Sequence, residues 1–488
     1  MRARSIPELG APRRGNMSEA GNKQKENPSP QLATESGSPD TNGVESIGVR
    51  QPTKLNAIIW AHSDQAGGNE LACVIAKALI LETLAPLIGI ITPFPERVDD
   101  FFEYEIVTVK KEFILRSPEL LRIAKSKAGW VDARETYELL RKPPFDRNDG
   151  AHSFQNLENI MAMMCKEIEP RKHDRTLMIS CGEPIAVEVA SRLNMKCVII
   201  TDHLLTSTVR WVLRHGGLFD RYMADLLTVL EDYDRKADKA FISPPEFAGS
   251  EYEVYLGHGS IDCNFVGGLF YEPIYSAALL GNPGYRALTE ASRDRRVVFV
   301  FGGGGPVWFR LYDDLHEAVR LDTPRGFAVL IPAMETSPEG KRERKKSPIT
   351  KKFLYTLYLP DGSSTELEDP GRLMYWYAAC ALFVGRGGLA AQQIFATMMS
   401  DIPEAPEMLF IEEPGHPQIE HERQSLYNLG FVHTRTLDAF RANPLKIIRE
   451  VFDKVKGSET RARVSVRYGK DMMSALARCL VAVYKPYL

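Results

Sequence analysis

The sequence predicts an α/β protein of two βα-repeating halves behind a structureless N-terminal tail. Three observations predict it. Short, wholly apolar runs recur along the chain and alternate with amphipathic stretches, the grammar of parallel sheets flanked by helices. Several of these runs end in glycine-rich loops, as at Ala66-Gly67-Gly68, Gly302–Gly305 and Gly385–Gly388. At roughly 150 residues per domain, 488 residues leave room for two or three domains.

Residues 1–54 contain no Phe, Trp or Tyr and are rich in Ser, Pro, Asn, Gly and Glu. Such a segment cannot bury enough apolar area to offset its ordering entropy, so it is expected to be disordered. Order is expected from Leu55. The run Leu55–Trp60 reads as a buried strand and 61–68 as its loop, with Asn69 the cap of a helix to about Leu84. Leu87–Ile91 reads as the next strand, which completes a βαβ opening. Leu177–Ser180 repeats the pattern, followed by a helix over 185–193 and a strand over Cys197–Thr201. Residues 206–230 read as largely helical.

The second half begins near residue 296. Val297–Phe301, Phe327–Ile331, Ala381–Val384 and Met408–Ile411 read as strands. Helices are expected over 389–399, 419–429, 443–455 and 468–484. Residues 334–352 carry Lys341, Arg342, Arg344, Lys345, Lys346, Lys351 and Lys352 and read as a basic, solvated, disordered insertion. The expected organisation is therefore tail 1–54, first domain 55–268, linker 269–295, second domain 296–460 and a closing segment 461–488.

Composition excludes several classes. Lys+Arg is 61 against 64 Asp+Glu, a net charge of -3, so there is no global basic field for nucleic acid. The seven cysteines lack CxxC or CxxH spacing and fall mostly in apolar runs, as buried thiols do in a reducing compartment. His416 and His421 are five apart rather than i,i+4, so no helical two-His metal site is expected, and no metal or cofactor is. The most apolar window, Leu71–Phe94, holds Lys77, Glu82 and Pro86, which argues against a membrane span. Arg2, Arg4, Arg13 and Arg14 suit a presequence, but Glu8, Pro7 and Pro12 do not, and a cytoplasmic location is expected. Weak membrane contact through 334–352 is the alternative to a solvated loop there.

In open α/β sheets ligands sit beyond the carboxyl ends of the strands, so the strand-end loops are the candidate sites. Gly303, Gly304 and Gly305 suit a phosphate, because glycine lets backbone amides approach closely; a tight βα turn is the plain alternative. Arg386, Gly387 and Gly388 repeat the device. There is no GxxxxGK[ST] motif, no GxGxxG with a downstream acid and no GxSxG. Residues 412–424 crowd polar groups, including His416 and Gln418, at a strand end suited to sugar or ribose hydroxyls. On the other side, His62 and Asp64 are candidate general bases. Gly67, Gly68, Asn69, Glu183, Asp202 and His203 complete that wall.

Taken in order, these motifs resemble the GT-B glycosyltransferases that use nucleotide sugars, in the branch that contains the cell-wall N-acetylglucosaminyltransferase making lipid II. The likeness covers about residues 55–485. It rests on 62–79, 178–184, 190–203, Val266-Gly267-Gly268, 300–305, 384–388 and Gly415-His416-Pro417-Gln418. The resemblance implies two Rossmann-like domains facing a cleft and a last helix crossing back to the first domain. It implies transfer of a sugar, from UDP by preference, to an acceptor hydroxyl, without a metal. Arg386, Gln393 and Gln418 would hold the nucleotide and donor sugar, and His62 or Asp64 would activate the acceptor. The chain departs from the family where a ribose-binding Glu is usual and Gln393 stands, where an Asn is usual and Glu422 stands, and where a His is usual and Asn69 stands. Hydrolysis or epimerisation of a nucleotide sugar, and a degenerate GT-B chain that only binds, are the rival readings.

Overall fold

The structure is a computed structural model. It describes residues 54–62, 66–82, 84–103, 105, 107–124, 132–147, 154–201, 204–242, 263–265, 280–293, 296–303, 306–322, 324, 326–386, 406–412, 432–453 and 472–488. The tail, residues 269–279 of the expected linker, and the expected helices over 389–399 and 419–429 lie outside these residues.

The first sheet is built from β1 (Ala57–Trp60), β2 (Ile88–Thr92), β3 (Ile114–Arg116), β4 (Leu177–Ser180), β5 (Lys196–Thr201), β6 (Lys239–Ile242) and β7 (Cys263–Phe265). All pairs are parallel, in the order β3-β2-β1-β4-β5-β6-β7. Every residue of β1, β2 and β4 is buried, which is why these strands are continuous apolar runs rather than alternating ones. The flanking helices are α1 (Ala66–Leu81), α2 (Pro95–Phe102), α3 (Ala133–Leu140), α4 (Gln155–Ile168), α5 (Pro184–Arg192), α6 (Leu205–His215) and α7 (Arg221–Asp234).

The second sheet contains β8 (Val297–Phe301), β9 (Ala328–Pro332), β12 (Leu354–Tyr358), β13 (Ser364–Glu368), β14 (Leu382–Gly385), β15 (Glu407–Glu412) and β16 (Val432–Thr436). Its order is β13-β12-β9-β8-β14-β15-β16. A two-stranded ribbon, β10 (Met334–Thr336) with β11 (Arg342–Arg344), stands apart. The helices of this half are α8 (Pro283–Ser292), α9 (Pro306–Leu321), α10 (Met374–Ala379), α11 (Leu437–Ala442) and α12 (Pro444–Phe452). The last helix, α13 (Met472–Tyr484), packs on α1 in the first half.

Alternate residues of the second sheet serve two cores. Val298, Val300, Val329, Ile331, Val384 and Leu409 face α9, α11 and α12. Phe299, Leu330, Tyr355, Phe383 and Phe410 point the other way, into a core continuous with that of the first half. Trp376 of α10 closes this face, edge-on to Tyr355 at 4.6 Å, with its indole N–H donating to Gly284 O at 2.9 Å. The halves therefore share apolar packing.

Two expectations are corrected and one is refined. Residues 334–352 are not a disordered loop. They begin an ordered extension in which β12 pairs antiparallel with both β9 and β13. Of their seven basic residues, four meet carboxylates: Arg342 with Asp313, Lys345 with Glu366, Arg344 with Asp369 and Lys352 with Glu103. The span read as helix over 206–230 is two helices. Gly217, at φ +66, reverses the chain, and Asp220 caps α7 by accepting from Met223 N at 2.9 Å. Asn69 is no cap, because α1 starts at Ala66; Asn69 is buried within the first turn, where its Oδ1 accepts from Thr92 Oγ1 of β2.

Candidate functional site

Strand order decides where the loops meet. In the second sheet β8 lies between β9 and β14, so consecutive connections depart in opposite directions from the β8/β14 boundary. That boundary is the topological switch point, where a crevice opens beyond the strand ends. Gly385 pairs with Phe301 on one side and Phe410 on the other. Gly302-Gly303 after β8, Arg386 after β14 and Ile411-Glu412 at the end of β15 therefore lie on neighbouring strands at one edge. Arg386 is half-buried there. Gly304, Gly305, Gly387, Gly388, Gln393, His416 and Gln418 lie outside the described residues.

The glycine loop after β8 is tightly built. Gly303 has φ +98, a conformation that side-chain-bearing residues avoid. A Cβ on Gly302 would fall 1.8 Å from the indole of Trp308, which is fully buried in α9. The Tyr312 hydroxyl, one turn further along α9, accepts from Gly302 N at 2.9 Å and donates to Gly303 O at 3.0 Å. The helix thus braces the loop that leads into it. Sequence reasoning missed Trp308 and Tyr312; the signal was their shared helix face, four residues apart, directly behind the glycines.

The first sheet offers the matching edge, with its switch point between β1 and β4. Ala61-His62, Cys181-Gly182-Glu183 and the chain after Thr201 leave three adjacent strands. Asp64, Asp202 and His203 lie outside the described residues, and Gly67 and Gly68 form the start of α1. His62 is 2% exposed and Glu183 is 0% exposed, so both side chains are buried beside these strand ends. Glu183 belongs to a buried acidic patch. Burial pushes the Asp234 carboxyl well above its ordinary value, and the Glu183 charge adds to this. The Cys181 side chain is buried there as well.

Residues of both halves meet beside these edges. Arg372, in the loop between β13 and α10, reaches Glu70 of α1 at 2.9 Å. Tyr377 of α10 is fully buried; burial pushes its phenol up, and the charge of Glu70 pushes it further. Asp369, in the same loop as Arg372, accepts from Gly371 N at 3.0 Å and from Tyr355 Oη at 3.3 Å, with Arg344 at 3.8 Å. Burial outweighs these partners and raises its carboxyl to about 6. The folded state thus binds this proton more tightly than the unfolded chain does. Folding gains as pH falls through the window from about 6 to 4, and carrying the charge at neutral pH costs about 3 kcal/mol. Asp369→Asn keeps an acceptor for Gly371 and removes the charge. It should raise the thermal midpoint at pH 7, with the gain shrinking at pH 4.5; an equal change at both values would contradict this assignment.

Among the described residues no group of three or more His, Cys, Asp or Glu could hold a metal ion, and no helix is long and apolar enough to cross a membrane.

No known family and no curated protein matches the sequence. Solved structures do. A UDP-glucosyltransferase from Polygonum tinctorium, described as capable of glucosylating indoxyl, shares 13% identity at a TM-score of 0.50, over 90% of this chain and 99% of that one. A putative UDP-N-acetylglucosamine 2-epimerase from Listeria monocytogenes shares 12% at 0.47, over 89% and 97%. MurG of Acinetobacter baumannii shares 10% at 0.42, over 87% and 99%. At these identities the likeness bears on architecture, and the Polygonum enzyme carries it. Two α/β sheets, the first parallel and the second mixed, each with its own switch point, together with a shared core and a last helix returning to the first half, give this chain the GT-B fold.

Proposed function

We propose that the protein transfers a sugar from a nucleoside diphosphate sugar, UDP-linked by preference, to an acceptor hydroxyl. The observation that carries this reading is the convergence of Gly302-Gly303, Arg386 and Glu412 at one switch-point edge of the second sheet. Backbone amides of the glycine loop and the N-terminus of the 16-residue α9 suit a diphosphate, whose charge grows as the sugar leaves. Arg386 supplies a cation there, and Gln393, His416 and Gln418, which follow in the sequence, would complete the donor side. No metal or organic cofactor enters this reading.

The acceptor wall would be the 61–68 loop and the start of α1. Of the two candidate bases, the buried His62 ring suits holding this loop. That leaves Asp64 as the carboxylate to collect the acceptor proton.

A thermal-shift panel of UDP, GDP, ADP and dTDP, with their sugars, tests the donor site. A nucleotide at about 100 times its Kd should add roughly 2.7 kcal/mol, or about 5 °C or more. A selective rise with one base supports the reading, whereas no rise with any of them defeats it. Product analysis with the selected donor then separates transfer from release of free sugar or of an epimer.

A further inference from the structure

The ordered extension over 334–372 reaches the first half at two places. Lys352 Nζ lies 2.9 Å from Glu103, just beyond α2. Arg372 forks: Nη1 lies 2.5 Å from Glu105, Nη2 lies 2.9 Å from Glu70, and the guanidinium sits 3.9 Å over the Phe101 ring. The other Glu105 oxygen meets Lys77 of α1 at 2.7 Å. The side chains of Arg372 and Glu105 are 3% exposed and that of Lys77 is 4% exposed, while Glu70 is 31% exposed. Two cations thus face two carboxylates in a largely buried site.

The loop that presents Arg372 is itself held. Asp369 N donates to Phe353 O at 2.8 Å, Asn282 Nδ2 donates to Pro370 O at 3.0 Å, and Gly371 takes φ +87. A guanidinium can serve two carboxylates on different elements through separate nitrogens, which an ammonium on a flexible stem does poorly. One of the two, Glu70, is in the first turns of α1, directly after the 61–65 loop.

We propose that residues 334–372 form an interdomain strap and that Arg372 is a positioning residue. It holds the start of α1 against the second half. That the start of α1 belongs to an acceptor wall rests on the proposed function; the strap itself does not.

Hydrogen exchange on the full-length protein tests the strap without any activity measurement, so its failure is separable from failure of the donor-site reading. In Arg372→Met, amides of residues 70–75 and 97–105 should exchange at least tenfold faster, while those of β4 and β14 stay unchanged. Arg372→Lys should restore 97–105 but not 70–75, because one ammonium can keep Glu105 and lose Glu70. Glu70→Gln, at a half-exposed site where folding is secure, should loosen 70–75 alone. The strap is overturned by unchanged protection of 70–75 in Arg372→Met or in Glu70→Gln. Uniform acceleration across both halves, or full restoration by lysine, overturns it as well.

Discussion

Glu105→Leu should destabilise the protein by about 3–5 kcal/mol, the usual cost of removing one partner from a buried ion pair. The reason is what stays behind. Lys77 and Arg372 would keep their charges in a site where each is at most 4% exposed, after losing the carboxylate that meets both of them. Replacing the whole buried trio, as Lys77→Met with Glu105→Leu and Arg372→Met, should cost far less or even stabilise. No buried charge is then left without compensation. Urea midpoints of the single and triple variants check this pair of outcomes. A single variant within about 1 kcal/mol of the parent would show that water reaches the network and screens it.

The second large effect is expected at Gly302. In Gly302→Ala the new methyl would lie 1.8 Å from the Trp308 indole, which is fully buried and has nowhere to go. Overpacking of this kind costs about 1–3 kcal/mol, and this site belongs at the upper end. Displacing Trp308 also moves α9, so Tyr312 would lose its grip on both Gly302 and Gly303. The nucleotide-dependent thermal shift should disappear along with the lost stability. Trp308→Leu alone should cost about 3 kcal/mol through the cavity it leaves. Combined, the two should cost clearly less than their sum, because the leucine makes room for the methyl. Strict additivity, measured by chemical denaturation, would show that Gly302 and Trp308 do not meet.

Much of the architecture was legible in the residue order. Strands such as Ala57–Trp60, Leu177–Ser180 and Val297–Phe301 are buried on both faces, and a strand in that position must be apolar throughout. Their glycine-rich ends marked the switch-point loops for the same local reason, since a chain turning sharply out of a sheet needs residues without side chains. The sequence reading failed where two local signals competed. Leu354-Tyr355-Thr356-Leu357-Tyr358 is a strand pattern, and Pro360-Asp361-Gly362 is a hairpin turn, with Gly362 at φ +86. The solvated-loop reading of 334–352 rests on the adjacent run of lysines and arginines and does not take this hairpin into account. Those charges turn out to be paired with Asp313, Glu366, Asp369 and Glu103, which stand elsewhere in the chain.

His62, Asn69 and Glu183 show the same limit from the other side. Each has a residue type suited to chemistry, His62 and Glu183 beside strand ends and Asn69 in the first turn of α1, and all three are buried. Composition and periodicity determined that this chain folds as two parallel α/β halves, and which loops stand at the strand ends. Burial patterns repeat over a few residues and can be read locally. Only the tertiary structure decided which of those polar groups face outward, and that Arg372 meets Glu70 and Glu105, 302 and 267 positions away. A charge carries no address in the sequence; its partner is chosen when packing brings two segments together and removes the water between them.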